Sequence, residues 1–462
     1  MNKGIRAVGR IGGFILILGW CLPSVCIGGT EPIDIGKAIE LGFNHNHELK
    51  IAAEETQRLQ HRYKEVRAEV LPIFSASTGY ARSWILPSTT FSVSSEDSTG
   101  SIEERTQTVE FGTPNNFNIG LSLEQPIYSG GRYRTARRLL DISSEFNKEK
   151  IRQTEQRVVL RIQETFLNAL LAKQSLIVSQ QALTQAQAHL EQVRLLFEGG
   201  VAADFDLLRA EVQVANLHPE VSEAKNRVPL ALAVLKNAIG LPLAKDLEIQ
   251  GDFDHFISDQ VMDLQVAHEL ALAKRSELRQ LAMQVRMQRE QIQLTRAALK
   301  PKVSLTGNYE WQWQLPDASR LERDDFRDSW VMGIFARMPL FDGGKTSSQV
   351  KQVKVNLRQL DIRRAQLVEG IQLQIEQSLL RHREAGERIE ASAKTVEQAE
   401  KGLHIAEVRY QHGVTTQIEV MDVQVALTRA RLNRLKAQYD YALTGVLLQE
   451  AIGKVNYVDE NP

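Results

Sequence analysis

The side chains here whose type and spacing could do chemistry are few, and most of them are acids. Glu419 and Asp422 stand three residues apart, a spacing that puts both on one face of a helix. They follow Gly413 much as Asp204 and Asp206 follow Gly200. Acids in a first helical turn complement the helix dipole, which accounts for Asp204, whereas Glu419 and Asp422 read as lying deeper than the dipole reaches. Around a symmetric pore such acids would recur as a ring that favours cations. His45 and His47 flank Asn46, and an i,i+2 pair on a helix points its rings apart, so they read as a surface pair. The other histidines show no His/Glu metal-ligand spacing. Gly130-Gly131 and Gly343-Gly344 lack the Gly-Lys-Ser/Thr ending of a phosphate loop and read as tight strand-to-helix turns. No nucleophile–base spacing is present, so the expectation is a protein that is not an enzyme and holds no cofactor or metal.

The composition points the same way. The 462 residues are 43% apolar and 24% charged, with net charge −1. That balance gives no basic face for nucleic acid and too much apolar content for wholesale disorder. Both cysteines, Cys21 and Cys26, fall in the first thirty residues. Lys3, Arg6 and Arg10 precede the short apolar run Ile11–Trp20, and small residues follow to Gly29, so residues 1–29 read as a secretory signal peptide. The run is too short for a retained span. Lipidation at Cys26 is disfavoured because Val25 stands where a lipoprotein site needs Gly, Ala or Ser, and cleavage near Ile27–Gly29 is expected instead. The nearest later apolar stretch, Val228–Ala244, is interrupted by Pro229, Lys236, Asn237 and Pro242. Membrane residence therefore requires a β-barrel.

The elements that must position these residues are written twice. Glu48-Leu49-Lys50 matches Glu277-Leu278-Arg279 at an offset of 229, and Gln125–Arg132 matches Met338–Lys345 at 213. The latter offset also aligns Gly200-Val201 with Gly413-Val414 and Ile239-Gly240 with Ile452-Gly453. The first repeat, 30–240, reads as helix, strand 72–84, polar loop 83–116, strand 117–126 and a helical hairpin 133–240 with its tip near 198–206. A linker 241–259 leads to the second, 260–456: helix, strand 301–314, loop 315–327, strand 328–340 and a hairpin 346–453 with its tip near 411–419, then a tail 457–462. Leu176, Leu183, Leu190 and Phe197 recur every seven residues with Ser179, Ala186 and Val193 between them, an a/d seam of large and small residues that Ile389, Val396, Leu403 and Tyr410 repeat. The helix from about Arg137 to Phe197 spans roughly 90 Å, the length of a rod or tube rather than of a globular core. Pro219 and Pro229 predict a break or bend in the helix after Asp206. The strands alternate: Val303, Leu305, Tyr309, Trp311 and Trp313 oppose Ser304, Thr306, Asn308, Glu310 and Gln312, the pattern of a transmembrane barrel strand. Four such strands cannot enclose a lumen, and three chains pooling them give twelve.

At LPIFSASTGYAR, KPKVSLTGNYEWQW, QPIYSGGR, MPLFDGGK, FEGGVAADFDLLRAE and YQHGVTTQIEVMDVQ the sequence resembles the TolC-like outer membrane efflux protein family, from Ile33 to about Asn456. The resemblance implies an α+β membrane protein: a homotrimer with a twelve-stranded barrel in outer-membrane lipid and a long antiparallel coiled-coil tunnel in the periplasm. It implies a passive exit duct of a tripartite efflux pump or type I secretion system, working with a periplasmic adaptor (a membrane fusion protein) and an inner-membrane transporter. It places the family's gate acids on Glu419 and Asp422, with Tyr410 and Asp206 at neighbouring gate positions. Thr415 stands where the family often has a basic residue, which leaves a locking contact from that side without its usual donor. The tips at Gly200, Val201, Gly413 and Val414, the conspicuous breaks in the seams, are the expected adaptor contact. The alternative reading is a periplasmic coiled-coil adaptor or scaffold that forms no pore; such proteins lack paired alternating strands in a two-fold repeat.

Overall fold

Two antiparallel hairpins of very long helices carry a small β-sheet at one end. The computed structural model describes residues 32–96, 102–253, 256, 262–315 and 326–454. The expected signal peptide with Cys26, most of the loop 315–327 and the tail 457–462 lie outside the described residues.

Gly130 and Gly131 turn the chain from strand into helix with φ of 66° and 82°, and Gly343 and Gly344 repeat the turn at 66° and 78°. That left-handed backbone is open to glycine at little cost. The helices that follow, α3 (Arg132–Glu198) and α7 (Lys345–Gln411), are 67 residues each, about 100 Å at 1.5 Å per residue. Their partners are α4 (Asp204–Ile239) and α8 (Gln417–Ala451). In α3, Ala186 and Val193 of the small column are buried and Ser179 is half-buried, while Leu176, Leu183 and Leu190 are half-buried and Phe197 is exposed. The large residues therefore flank the seam rather than fill it.

The two prolines do not interrupt the helix: α4 continues from Asp204 to Ile239 through Pro219 and Pro229. Both prolines are exposed, and so are Ala215 and Lys225 one turn back, whose carbonyls lose their donors. Water can serve those carbonyls, so the cost falls on the solvent side while the packed side stays regular.

Each repeat opens with two helices where the sequence suggested one. The first holds α1 (Ile35–His45) and α2 (His47–Ala68); the second holds α5 (Leu264–Lys274) and α6 (Ser276–Arg296). The first hinge is Asn46, so His45 and His47 end one helix and start another rather than sharing one. Asn46 Oδ1 accepts from the backbone N–H groups of Glu48 and Leu49 at 2.8 and 3.3 Å, and its Nδ2 donates to Ala238 O at 2.8 Å. At the second hinge Arg275 Nε donates to Ala451 O at 2.8 Å and Nη2 to Gln374 Oε1 at 2.7 Å. The inter-repeat linker is tied down: Ile33 and Ile249 form a parallel bridge, and Lys173 Nζ donates to Ile249 O at 2.9 Å. The largest apolar cluster lies beside it, around Ile162, Phe166, Leu170, Leu235 and Ile239.

The polar segment 83–116 is not a plain loop. It contains an antiparallel pair, β2 (Ser88–Glu96) and β3 (Ile102–Glu110), with the Thr90 and Thr108 hydroxyls 3.3 Å apart across it. Its threonines and valines favour extended backbone as strongly as its serines suggest turns. The main sheet has the order β1 (Ile73–Arg82), β4 (Asn115–Ser129), β5 (Lys302–Leu315), β6 (Phe326–Arg337), all antiparallel. Its registers align one face made of Phe74, Ala76, Tyr80, Leu121, Leu123, Leu305, Trp311, Trp330 and Ile334. The opposite face holds Ser75, Ser77, Asn118, Ser122, Thr306, Asn308, Glu310 and Ser329. Tyr80, Phe117 and Trp313 meet in a row away from the helices, tilted and then edge-to-face, with ring centroids 5.7 and 5.9 Å apart. An apolar face ending in rings suits lipid, and a polar face suits a wet lumen.

Candidate functional site

The candidate site lies at the hairpin tips, at the far end of the helices from the sheet. Gly200 and Gly413 take φ of 74° and 70°, and each closes its helix: Val201 N donates to Leu196 O and Val414 N to Arg409 O, both at 2.8 Å. A Cβ on either glycine would meet nothing within 4 Å, so the requirement for glycine is conformational rather than steric. Val201 and Val414 project from these turns, exposed.

The tips hold each other through polar contacts. Gln417, the first residue of α8 and 2% exposed, donates from Nε2 to Asp206 O at 2.9 Å, joining α8 to α4. Its Oε1 has no hydrogen-bond partner among the described residues. The Asp206 carboxylate accepts from Ala203 N at 3.4 Å, closing the first turn of α4. Burial and the Asp206 carboxylate together push the Tyr410 hydroxyl up from its usual pKa.

Glu419 is less deep than expected. Since α8 begins at Gln417, Glu419 sits in the first turn, where the dipole does act on it. Thr415, lacking the charge of a basic residue, still donates its hydroxyl to Glu419, and Arg409 Nη1 lies 3.4 Å from the same carboxylate. The contact from that side exists, with its positive charge drawn from α7. Asp422 turns elsewhere, into a cleft of about 320 Å³ lined by Phe205, Leu208, Arg209, Val212, Ile418 and Met421. The Arg209 guanidinium sits 4.4 Å from the Phe205 ring centre. The structure thus joins Asp206 to Gln417 and Glu419 to Arg409, while Asp422 faces the α4–α8 cleft.

One residue escaped the sequence reading. His189 of α3 is 6% exposed, its ring 5.5 Å from that of Tyr410, and its Nε2 has no hydrogen-bond partner among the described residues. Burial pushes its pKa below the ordinary value. The available signal was the repeat itself: the 213-residue offset sets His189 against Gly402.

Paired coiled-coil hairpins bearing an amphipathic antiparallel sheet are the fold of TolC-like outer-membrane channels. The chain belongs to the outer membrane efflux protein family, matched over residues 39–241 and 267–454. It is 26% identical over 356 residues to the alkaline protease secretion protein AprF of Pseudomonas aeruginosa, covering 73% of this chain and 70% of that protein. It is 22% identical over 427 residues to the outer membrane protein TolC of Escherichia coli, covering 90% and 81%. The crystal structure of CusC superposes with a TM-score of 0.72 at 17% identity, covering 92% of this chain and 93% of the other. Members of the family are channels, not enzymes, and the adaptor or scaffold reading falls with that assignment.

Proposed function

We propose that three copies of this chain close a twelve-stranded barrel in the outer membrane and a helical tunnel beneath it, forming a passive exit duct. The observation that carries this is the partition of the sheet into an apolar and a polar face with both edges, β1 and β6, left unpaired. An unpaired edge is a template for a further strand, and closure through copies removes every edge at once. A periplasmic adaptor engages the tips at Gly200, Val201, Gly413 and Val414 and links the duct to an inner-membrane transporter. Glu419 and Asp422 line the periplasmic mouth, with Asp206 and Tyr410 holding it. Relatives named for protease secretion and for pyoverdine export support an export role across different cargo classes. The test is direct: the protein should fractionate with the outer membrane, run as a trimer in mild detergent and conduct ions in planar bilayers. A monomer without conductance would refute the duct.

A further inference from the structure

The two free edges of the sheet differ in bulk on their polar face. On β6 that face carries Val331 and Phe335, 60% and 58% exposed, between Arg327, Ser329, Gly333 and Arg337. The Phe335 ring leans over Gly333, where a Cβ would come within 3.1 Å of it. An aromatic ring over an edge glycine restores contact that the missing side chain forfeits, yet the ring's outer side stays open. On β1 the same face carries the small residues Ser75, Ser77, Gly79 and Ala81, with the Asn118 amide of β4 lying over Gly79. Neither edge is guarded along its middle: β1 has no charge before Arg82, and β6 none between Asp328 and Arg337.

Barrel closure limits which residues can meet. Within the chain, Val331 is level with Asn308, Ser122 and Ser75. Strands about 4.8 Å apart and tilted by roughly 35–45° offset each block of four by about 13–19 Å, or about four to six residues. Lumen-facing residues must meet lumen-facing residues, so the offset is an even number. It runs toward Arg82, because the other direction carries Phe335 past the start of β1 at Ile73 and onto α2. An offset of four sets Phe335 against Ser75, Val331 against Gly79 and Asp328 against Arg82. An offset of six sets Phe335 against Ser77 and Val331 against Ala81. Either way large residues of β6 oppose small residues of β1.

We infer that the lumen faces of these strands form a size-complementary lock between copies, with Phe335 of one copy seated in the Ser75–Ser77 slot of the next. The inference rests on the trimeric barrel proposed above and deepens it. Directly opposed antiparallel residues have Cα separations suited to a disulfide, and both native cysteines precede residue 32. Phe335→Cys combined with Ser75→Cys, or with Ser77→Cys, is expected to give covalent dimers and trimers on non-reducing denaturing gels of oxidised outer membranes, and the single variants none. Phe335→Ala should lower the temperature at which the trimer dissociates, and Phe335→Leu should recover most of the loss. A trimeric wild type in which neither pair cross-links, or in which Phe335→Ala dissociates at the wild-type temperature, overturns the lock and leaves the duct standing. A monomeric wild type overturns both.

Discussion

Acidification below about pH 6.5 should loosen the packing between the two hairpin tips, and His189 should be responsible. Its ring lies against Tyr410 at 5.5 Å, almost fully buried, with one nitrogen unpartnered among the described residues. Burial alone depresses its pKa from the ordinary 6.5. The Asp206 carboxylate acts on the neighbouring Tyr410 hydroxyl, and on α3 itself Arg194 pairs with Glu191 at 3.6 Å and with Glu211 of α4 at 3.9 Å. The packed tip accommodates the neutral ring, whereas a separated or unfolded tip takes up a proton near pH 6.5. Stability is therefore complete above that pH and is lost as pH falls toward the depressed value. Each pH unit inside the window removes at most about 1.4 kcal/mol per site. Hydrogen exchange of amides near residues 185–195 and 405–420, compared at pH 7.5 and 5.5, measures the effect, and conductance of the reconstituted channel reads its consequence. His189→Gln and His189→Leu should abolish the acid response, and the leucine should add about 1 kcal/mol by removing an unpartnered buried nitrogen. Equal loss of protection in wild type and variants at pH 5.5 would refute the reasoning.

Replacing Glu419 and Asp422 together by alanine should weaken cation preference and block by multivalent cations in planar-bilayer recordings; wild-type selectivity in that variant removes the gate assignment. Excising Ser88–Glu110 should leave the trimer intact, because among the described residues β2 and β3 pair only with each other and a shorter connection costs little entropy; loss of the trimer would place that hairpin in the assembly interface. Asn46→Ala should cost about 2–3 kcal/mol, visible as a lower thermal midpoint, since it removes the cap of α2 and leaves the Ala238 carbonyl without its donor.

The parts of this molecule set by local pattern were readable from sequence. Glycine pairs before a basic residue place the strand-to-helix turns, period-two aromatics place the strands, and a fixed offset places the second hairpin after the first. What escaped reading depends on where a side chain faces. Pro219 and Pro229 look like breakers until their exposure shows that the lost hydrogen bonds lie on the wet side. Serine and threonine between 83 and 116 look like a loop until a second strand of the same character pairs with the first. The hinge at Asn46 was hidden because its Nδ2 partner, Ala238, is 192 residues away. His189 was passed over because a histidine beside a seam acquires meaning only when another helix, here α7, covers it.

The repeats also differ in a way that bears on the tips. At the hinges they keep geometry and change chemistry: Asn46 and Arg275, 229 residues apart, both donate to an alanine carbonyl in the last turn of their hairpin's second helix. Gly240 and Gly453 press on those hinges alike, a Cβ on either coming within 2.6 Å of His45 O or 3.1 Å of Arg275 N. At the tips the pairs diverge in size and polarity: His189 against Gly402, Phe197 against Tyr410, Asp206 against Glu419. Equal hairpins would pack with one kind of helix contact and no preferred place to yield. Unequal tips give each copy two kinds of contact, one through Gln417 and Asp206 and one through Arg409 and Glu419. If the mouth opens by moving one hairpin against the other, the Gln417–Asp206 contact between α8 and α4 is what it must break, so weakening it should open the channel while leaving the hinges and the sheet unchanged.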